Sequence, residues 1–333
     1  MLDTNSPRQP RIVVIGGGTG SFVMLSGLKK ITDDISAIVN MCDDGGSTGV
    51  LRDELGVLPP GDARQCLVGL SDVPEISDLF SYRFGEGGLA GHSLGNIILS
   101  GLELQHGSFE KALEVASKIL RIRGQVIPSV LGNHRLVMQD GDERIDGERN
   151  IEAHTIVYAD AAVRLDPVAE ANPRAVEAIL AADIVVMAPG GLYNSLLPIY
   201  SISGIAKALQ QTPATVVFVS HLVNKANQTA GWHVADYIRR LERELGEGTI
   251  DVVLYNTAEI SDETLQRYAA DGDFPTKIDE QGFAGLSCAR QGVPLLSHEE
   301  IQQNPFDKAI MRTLIRHDSD KVASEIMKFY TQP

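Results

Sequence analysis

Cysteine is scarce in this chain of 333 residues: Cys42, Cys66 and Cys288 are odd in number, and no two form a Cys-x-x-Cys pair. This pattern excludes a disulfide framework and a cysteine zinc site. No apolar run approaches the roughly 18 residues that a membrane-spanning helix needs. The start of the chain, residues 1–10, is polar and lacks the apolar core of a signal peptide. We therefore expect a cytoplasmic protein with no membrane span.

Basic residues are also in short supply, with 29 Lys and Arg against 44 Asp and Glu and a formal net charge of -15. Binding to a phosphate backbone needs a basic surface, so we expect no nucleic-acid partner. Hydrophobic residues make up 43% of the chain and charged residues 22%, which excludes a wholly disordered protein. The length allows one large or two modest domains.

The first ordered pattern is an apolar run at residues 11–15, which leads directly into Gly16-Gly-Gly-Thr-Gly20. Phe22, Leu25 and Leu28 then lie three residues apart, as on one face of a helix. A second apolar run covers residues 35–41 and ends in Asp43-Asp44-Gly45-Gly46. Strand, helix and strand within about thirty residues predict a βαβ unit, and hence a parallel sheet.

The same alternation continues along the chain. Residues 61–121 have helical patterns, and β-branched runs at 184–187, 216–219 and 251–255 predict further strands. Two Asp-Gly steps, at 140–141 and 146–147, indicate hairpins. We predict an α/β fold, Rossmann-like and doubly wound, with a mostly parallel sheet. A flexible N-terminus at 1–10 would precede a single large domain over 11–330, with a hairpin-rich subregion at about 125–166.

The first glycine turn carries the strongest chemical signal. Glycines after a buried strand let backbone N–H groups approach an anion, and the positive end of the following helix points to the same place. A nucleotide phosphate fits this description, although Ser21 breaks the strict dinucleotide fingerprint and no Walker ending follows. The alternative is a tight turn without a ligand. Ser21 also disfavours an NAD-dependent dehydrogenase.

Carboxylates follow the second strand at Asp43 and Asp44. Two adjacent carboxylates could hold Mg²⁺ together with ligand phosphates, or bind a ribose hydroxyl. The alternative role of Asp44 is to cap the next helix. Because parallel strands end at the same edge of a sheet, we expect Asp43 and Asp44 to face the first glycine turn.

Three later motifs add polar groups at helix starts. Asp62 and Arg64 lie in Pro59-Pro-Gly-Asp-Ala-Arg64, and His92, Ser93 and Asn96 lie in Gly91-His-Ser-Leu-Gly-Asn96. Each alone is more typical of helix capping than of catalysis. A second glycine turn, Ala188-Pro-Gly-Gly-Leu-Tyr-Asn-Ser195, follows the run at 184–187 and could hold a second phosphate. His221 would lie at the same sheet edge.

Taken in order, these motifs resemble those of the YvcK/CofD-like family, and the YvcK-type branch most closely. The resemblance rests on the stretches 16–20, 43–49, 51–52, 59–67, 82–84, 91–96 and 189–195, and it is densest over residues 11–100. It implies a Rossmann-like sheet with an additional subregion. Its YvcK branch implies binding of UDP-sugars such as UDP-N-acetylglucosamine or UDP-glucose, with a role in carbon metabolism and cell-wall or cell-shape control and no established turnover.

The CofD branch implies a rival function, in which a Mg²⁺-dependent 2-phospho-L-lactate transferase uses a guanosine diphosphate donor and a deazaflavin acceptor. Asp43, Asp44 and Asp62 would then be candidate catalytic residues, with Asp43 and Asp44 holding the metal. The resemblance also implies that Tyr268 and Arg316 hold the UDP-sugar. Here Gly191 and Asn194 replace a serine and a threonine of the family's second turn, and residues 222–229 and about 290–312 also depart from its pattern.

We therefore expect a nucleotide-sugar ligand, a possible Mg²⁺ cofactor and a homo-oligomer, with a dimer as the simplest form. The expected ligand-binding residues are Gly16, Gly17, Gly18, Thr19, Gly20, Asp43, Asp44, Arg64, Ser93, Asn96, Gly190, Gly191, Asn194, Ser195, Tyr268 and Arg316.

Overall fold

The structure is a computed structural model that describes residues 8–270, 272–297 and 315–330. These residues form strands at β1 (Ile12–Gly16), β2 (Ile35–Val39), β3 (Gln125–Pro128), β4 (Arg135–Asp140), β5 (Glu143–Asp146), β6 (Ala162–Asp166), β7 (Ile184–Met187), β8 (Thr215–Val219), β9 (Val223–Asn224), β10 (Val252–Asn256), β11 (Phe274–Pro275) and β12 (Ala289–Val293).

The helices in the described residues are α1 (Gly18–Leu28), α2 (Gly46–Leu55), α3 (Gly61–Leu70), α4 (Pro74–Ser81), α5 (Leu94–His106), α6 (Phe109–Leu120), α7 (Glu148–Ala153), α8 (Pro173–Ala181), α9 (Leu197–Tyr200), α10 (Ser203–Gln211), α11 (Val234–Leu245), α12 (Asp262–Ala270) and α13 (Ser319–Met327). A π-helical turn at Leu192–Leu196 precedes α9, and short 3₁₀ turns lie at Gly87–Leu89 and Gln281–Phe283. None of these helices combines the length and the apolar character that crossing a bilayer requires.

Seven strands form the main sheet in the order β12-β10-β8-β7-β1-β2-β3, and every neighbouring pair is parallel. Val14 of β1 pairs with Ala37 of β2 on one side and with Val186 of β7 on the other. Helices flank the sheet, so the central strands are buried along their whole length. This is why they are continuous apolar runs rather than alternating ones. The predicted Rossmann-like α/β fold is confirmed.

A small antiparallel sheet, in the order β5-β4-β6, stands beside the main sheet. The Asp140-Gly141 step forms the turn between β4 and β5, where Gly141 adopts a left-handed φ of 58°. The Asp146-Gly147 step instead leads into α7. The predicted subregion at 125–166 therefore starts too early, because Gln125–Pro128 is the edge strand β3 of the main sheet. Val126 and Ile127 are both buried there, as expected of a strand covered on both faces.

The N-terminal prediction also needs a correction. Residues 1–7 lie outside the described residues, but residues 8–10 are held against the fold. The guanidinium of Arg8 pairs with the Asp183 carboxylate at 3.1 Å, and Pro10 is buried. The carbonyl of Pro10 also accepts a hydrogen bond from the Thr32 hydroxyl at 2.9 Å. The described part of the predicted flexible segment is thus packed before β1 begins.

Candidate functional site

The strand order creates a crevice at the centre of the main sheet. β1 and β7 are neighbours, and the chain proceeds from β1 towards β2 and β3 but from β7 towards β8, β10 and β12. In open α/β sheets, ligands bind beyond the carboxyl ends of the strands at such a reversal. Both predicted glycine turns follow these two strands, so they lie at the same edge of the sheet.

The two turns are in direct contact. A Cβ atom on Gly20 would overlap the carbonyl oxygen of Pro189, and a Cβ atom on Gly17 would lie 3.0 Å from the Ser195 hydroxyl oxygen and would overlap the Asp62 carboxylate. Glycine is therefore required at 17 and 20 by the close approach of neighbouring groups. Gly18 has a left-handed φ of 60°, which favours glycine for a separate reason.

A cavity of about 470 Å³ opens between the turns. Most of the sequence-predicted residues line it, and they come from six separate segments of the chain. They are Gly17, Gly18, Thr19, Gly20, Asp43, Asp62, Arg64, Asn96, Gly190, Gly191, Asn194, Ser195 and Arg316.

Four predicted residues do not line the cavity. Gly16 is buried as the last residue of β1. The Ser93 hydroxyl caps α5 by accepting the backbone N–H of Asn96 at 3.2 Å. The Tyr268 hydroxyl accepts the backbone N–H of Ile315 at 3.3 Å, so it supports the segment next to Arg316 rather than facing the cavity. Asp44 is the fourth.

Asp44 caps a helix, but not the one that follows it in sequence. Its carboxylate accepts the backbone N–H groups of Glu148 and Arg149, each at 2.9 Å, at the start of α7. Both carboxylate oxygens are therefore used by the helix, and the expected pairing of Asp43 with Asp44 on one metal ion does not match this arrangement. Asp43 instead lies close to the carboxyl groups of Glu148 and Asp62.

Asp43, Asp62 and Glu148 form a cluster of carboxyl groups in the cavity wall. Burial raises the pKa of Asp62 to about 8, and the negative charge of Asp43 adds to the shift. Burial likewise raises the pKa of Asp43, and it raises that of Glu148 with further contributions from Asp43 and Asp62. The cluster therefore holds protons near neutral pH unless a cation balances it.

Several backbone donors face the same space as these carboxyl groups. The helices α1, α2 and α3 all begin at the cavity, and their N-cap residues in the described structure are Gly17, Gly45 and Pro60, which provide no side-chain cap. The first N–H groups of a helix need acceptors, and its positive end attracts anions. Asp43 satisfies one of these groups by accepting the N–H of Gly45 at 2.9 Å. The convergence of three such helix starts suits a ligand with several anionic oxygens.

Glu148 is a cavity residue that sequence reasoning missed. One of its oxygens accepts the side-chain amide of Asn194 at 2.9 Å, which joins α7 to the second glycine turn. On its other side, α7 is held by the loop after β9: Gln228 donates to the carbonyl of Ile151 at 2.8 Å, and Lys225 pairs with Glu152 at 2.7 Å. A Glu at the start of a short helix gives no sequence signal for a partner 46 residues away.

Two histidines close the opposite side of the cavity. His221 follows β8 as predicted, and its Nε2 contacts the carbonyl oxygen of Gly190 in the second glycine turn. Burial lowers the pKa of His221 to about 4 and that of His317 to about 3. The His221 ring stacks on Tyr237, with 4.2 Å between ring centroids. His317 was not among the predicted residues, although it follows the predicted Arg316 and lines the same cavity.

Comparison with known proteins agrees with this architecture. The family described as 2-phospho-L-lactate transferase CofD matches residues 12–296. This chain belongs to the CofD family. A relative from Nostoc sp. is 39% identical over 330 residues, covering 97% of this chain and 69% of the relative. The gluconeogenesis factor of Bacillus subtilis is 35% identical over 325 residues, covering 95% of this chain and 97% of the relative.

A solved structure extends the comparison to three dimensions. A crystal structure of a Bacillus halodurans protein superimposes with a TM-score of 0.87 at 34% identity, covering 96% of this chain and all of that one. Within the CofD family, the chain is thus of the gluconeogenesis-factor, or YvcK, type. The resemblance predicted from the sequence motifs is confirmed.

Proposed function

We propose that the protein is a regulatory protein that binds a nucleotide-sugar such as UDP-N-acetylglucosamine or UDP-glucose. The observation that carries this proposal is the contact between the two glycine turns at the centre of the sheet. Gly17–Gly20 and Gly190–Gly191 offer backbone donors to one space, with the start of α1 directed into it. A diphosphate is the ligand group that such a pair of turns fits best.

The two sides of the cavity suit the two ends of such a ligand. On the β8 side, His221, Leu222 and Val223 provide an apolar and aromatic wall, and Arg316 lies in the same wall. We place the nucleobase there, because a flat ring with polar edges matches a wall of this kind. Tyr268 would act indirectly, by holding the backbone of Ile315. The sugar would then lie on the β2 side.

Calorimetric titration of the full chain with UDP-N-acetylglucosamine tests this function. We expect a saturable heat at one site per chain and a weaker affinity for Ser195→Ala, which removes a cavity hydroxyl from the second turn. Ser117→Ala is the matched control, because the Ser117 hydroxyl donates within α6, to the carbonyl of Leu113. The absence of heat with every uridine and guanosine diphosphate conjugate tried would contradict the proposal.

A Mg²⁺-dependent transferase of the CofD type is a second candidate, and a specific set of oxygen atoms favours it. The charge of Asp43 acts on Asp62, and nearby Asn40 is 2% exposed, with no hydrogen-bond partner for its Oδ1 among the described residues. Among the described residues, no group of three or more His, Cys, Asp or Glu is arranged to hold a metal ion. Mg²⁺ nevertheless needs only one or two carboxylates when ligand phosphates complete its shell.

Such an ion would supply positive charge that offsets the charge on a transferring phosphoryl group. The chain's own contribution is to hold Asp62 at Gly17 and Gly18 of the first glycine turn. Burial raises the pKa of Asp62 to about 8, so this carboxyl group stays protonated near neutral pH until a cation arrives. The test is Mg²⁺-dependent consumption of a guanosine diphosphate donor with a deazaflavin acceptor. Loss of turnover in Asp43→Asn and Asp62→Asn would support catalysis, whereas ligand binding without turnover in the wild type would favour the regulatory function.

The biological setting remains part of the proposal. We infer a cytoplasmic protein that links nucleotide-sugar supply to carbon metabolism and to cell-wall or cell-shape control, acting as a homodimer. Light scattering of the full chain, with and without the nucleotide-sugar, tests the dimer. Deletion of the gene followed by growth on different carbon sources tests the metabolic role.

A further inference from the structure

The short helix α7 is held in place by contacts with distant segments of the chain. It has six residues, whereas an isolated helix in water is marginal below about 12–15 residues. Ile151 is buried, and Glu148 and Glu152 line the cavity. The position of these two carboxyl groups therefore depends on the groups that hold each end of the helix.

The two ends of α7 are held from opposite sides of the cavity. At the first turn, two backbone N–H groups donate to the carboxylate of Asp44, which follows β2. At the other end, the side-chain amide of Asn227 donates to the carbonyls of Glu152 and His154, each at 2.8 Å, and Gln228 donates to a third carbonyl at 2.8 Å. The centre of the main sheet has the order β8-β7-β1-β2, so the loops that follow β2 and β9 lie on opposite sides of the glycine turns. The helix therefore bridges the two sides.

An ion pair at the rim of the cavity completes the contact at the second end of α7. The Lys225 ammonium and the Glu152 carboxylate are 2.7 Å apart, and both side chains line the cavity. They are 49% and 47% exposed, so water and salt screen the attraction and the pair contributes little to stability. The neutral amide bonds beside it also cost little to open, because water replaces them. This contact can therefore open while the rest of the protein stays folded.

We propose that the contact between α7 and residues 225–228 is a latch that opens to admit the ligand and closes over it. The latch consists of Glu152 on α7 with Lys225, Asn227 and Gln228 on the loop after β9. This inference rests on the proposed nucleotide-sugar function, because the latch borders the cavity assigned to that ligand. A ligand that touches both sides of the cavity binds the closed latch better than the open one, which is the condition for shifting the population towards the closed form. The latch then sets the rates of entry and release.

Charge reversal distinguishes a latch from a direct ligand contact. The measurement is stopped-flow displacement of a fluorescent UDP-N-acetylglucosamine analogue from the full chain. We expect Lys225→Glu and Glu152→Lys each to release the analogue about fivefold faster than the wild type, because the ion pair becomes a pair of like charges. The double variant that combines both substitutions restores the ion pair with its charges exchanged. Its release rate should return to within about twofold of the wild-type rate, which a direct contact of either side chain with the ligand would not allow.

The matched control is the pair of substitutions Lys111→Glu and Glu114→Lys in α6, where the ion pair has nearly the same exposure, 51% and 50%. Both single control variants should release the analogue at the wild-type rate, and thermal unfolding should show that all the variants are folded. Hydrogen exchange of the backbone amides at 149–156 gives a second readout, and we expect it to slow when UDP-N-acetylglucosamine saturates the site.

The outcomes separate the latch from the function on which it rests. Wild-type release rates in Lys225→Glu and Glu152→Lys would overturn the latch and leave the proposed function standing. The same holds if the double variant fails to restore the rate, or if exchange at 149–156 does not respond to the ligand. Failure of the wild type to bind UDP-N-acetylglucosamine or its analogue would overturn both.

Discussion

The carboxylate of Asp44 accepts the backbone N–H of Glu148 at 2.9 Å, and this bond joins the loop after β2 to the first turn of α7. In return, the backbone N–H of Asp44 lies 3.4 Å from a carboxyl oxygen of Glu148. The pair thus fixes α7, which contributes Glu148 and Glu152 to the cavity wall. It also places Glu148 beside Asp43.

Replacing this cap should weaken the fold. We expect Asp44→Ala to lower the free energy of unfolding by about 1–2 kcal/mol, because two N–H groups at the start of α7 lose their acceptor. Urea titration followed by circular dichroism measures this change. Asp142→Ala, at an exposed turn position between β4 and β5, should stay close to the wild type. Equal stabilities of the two variants would contradict the capping role.

The contact between the two glycine turns can be tested by adding a methyl group at Gly20. We expect Gly20→Ala to destabilise the protein by about 1–3 kcal/mol and to abolish nucleotide-sugar binding, because the added methyl group would force Pro189 away from the first turn. In contrast, Gly101→Ala should stabilise by up to about 1 kcal/mol, since Gly101 is in α5 with open space around it. If Gly20→Ala binds ligand like the wild type, the turns do not form the proposed site.

The raised pKa of Asp62 predicts a pH-dependent stability. The folded protein holds a proton on Asp62 up to a pKa of about 8, whereas the unfolded chain releases it near 3.8. The contribution of this proton to the free energy of unfolding is fully present below pH 3.8, and it is lost as the pH rises through 8. Asp62→Asn cannot lose a proton, so its stability relative to the wild type should increase between pH 5 and pH 9, by at most about 1.4 kcal/mol per pH unit.

Denaturant titrations at pH 5, 7 and 9 measure this difference, with Asp142→Asn as the exposed control. A difference between Asp62→Asn and the wild type that does not change with pH would show that Asp62 titrates normally. Saturating Mg²⁺ should reduce the difference if Asp62 helps to hold the ion, because a cation favours the charged form of both carboxyl groups.

His221 should lower the free energy of unfolding as the pH falls, which is the opposite of the effect of Asp62. Burial lowers its pKa to about 4 from 6.5, so the unfolded chain takes up a proton first as the pH falls. The wild type should therefore lose stability between pH 6.5 and pH 4, and His221→Gln should lose less over that range. His106→Gln, exposed at the end of α5, should follow the wild type. Identical acid profiles for all three proteins would contradict a buried neutral His221.

The sequence predicts the centre of the fold well and its periphery less well. β1, β2 and β7 are buried on both faces, so each is an apolar run that can be recognised without a structure. β12, with the sequence Ala-Arg-Gln-Gly-Val, has no such run because it lies at the edge of the sheet beside β10 alone. β3 was assigned to the hairpin subregion because it follows a long helical stretch and precedes the two Asp-Gly steps that indicate hairpins.

In the candidate site, too, residues in local sequence patterns could be predicted and long-range contacts could not. Residues in the glycine turns were predictable, because a turn after a buried strand has one location in a parallel sheet. The pairing of Asp44 with Glu148 was not, because a hydrogen bond between residues 104 positions apart leaves no local pattern. Likewise, the sequence separates Tyr268 from Ile315, and only the tertiary structure shows that the phenol supports the Arg316 segment.

α7 lies outside the main sheet, yet its residues Glu148 and Glu152 line the cavity. On the proposed function, substitutions in α7 would change which ligand binds while the two glycine turns keep their architecture. Relatives that share the seven parallel strands would then differ in ligand through changes confined to residues 148–153.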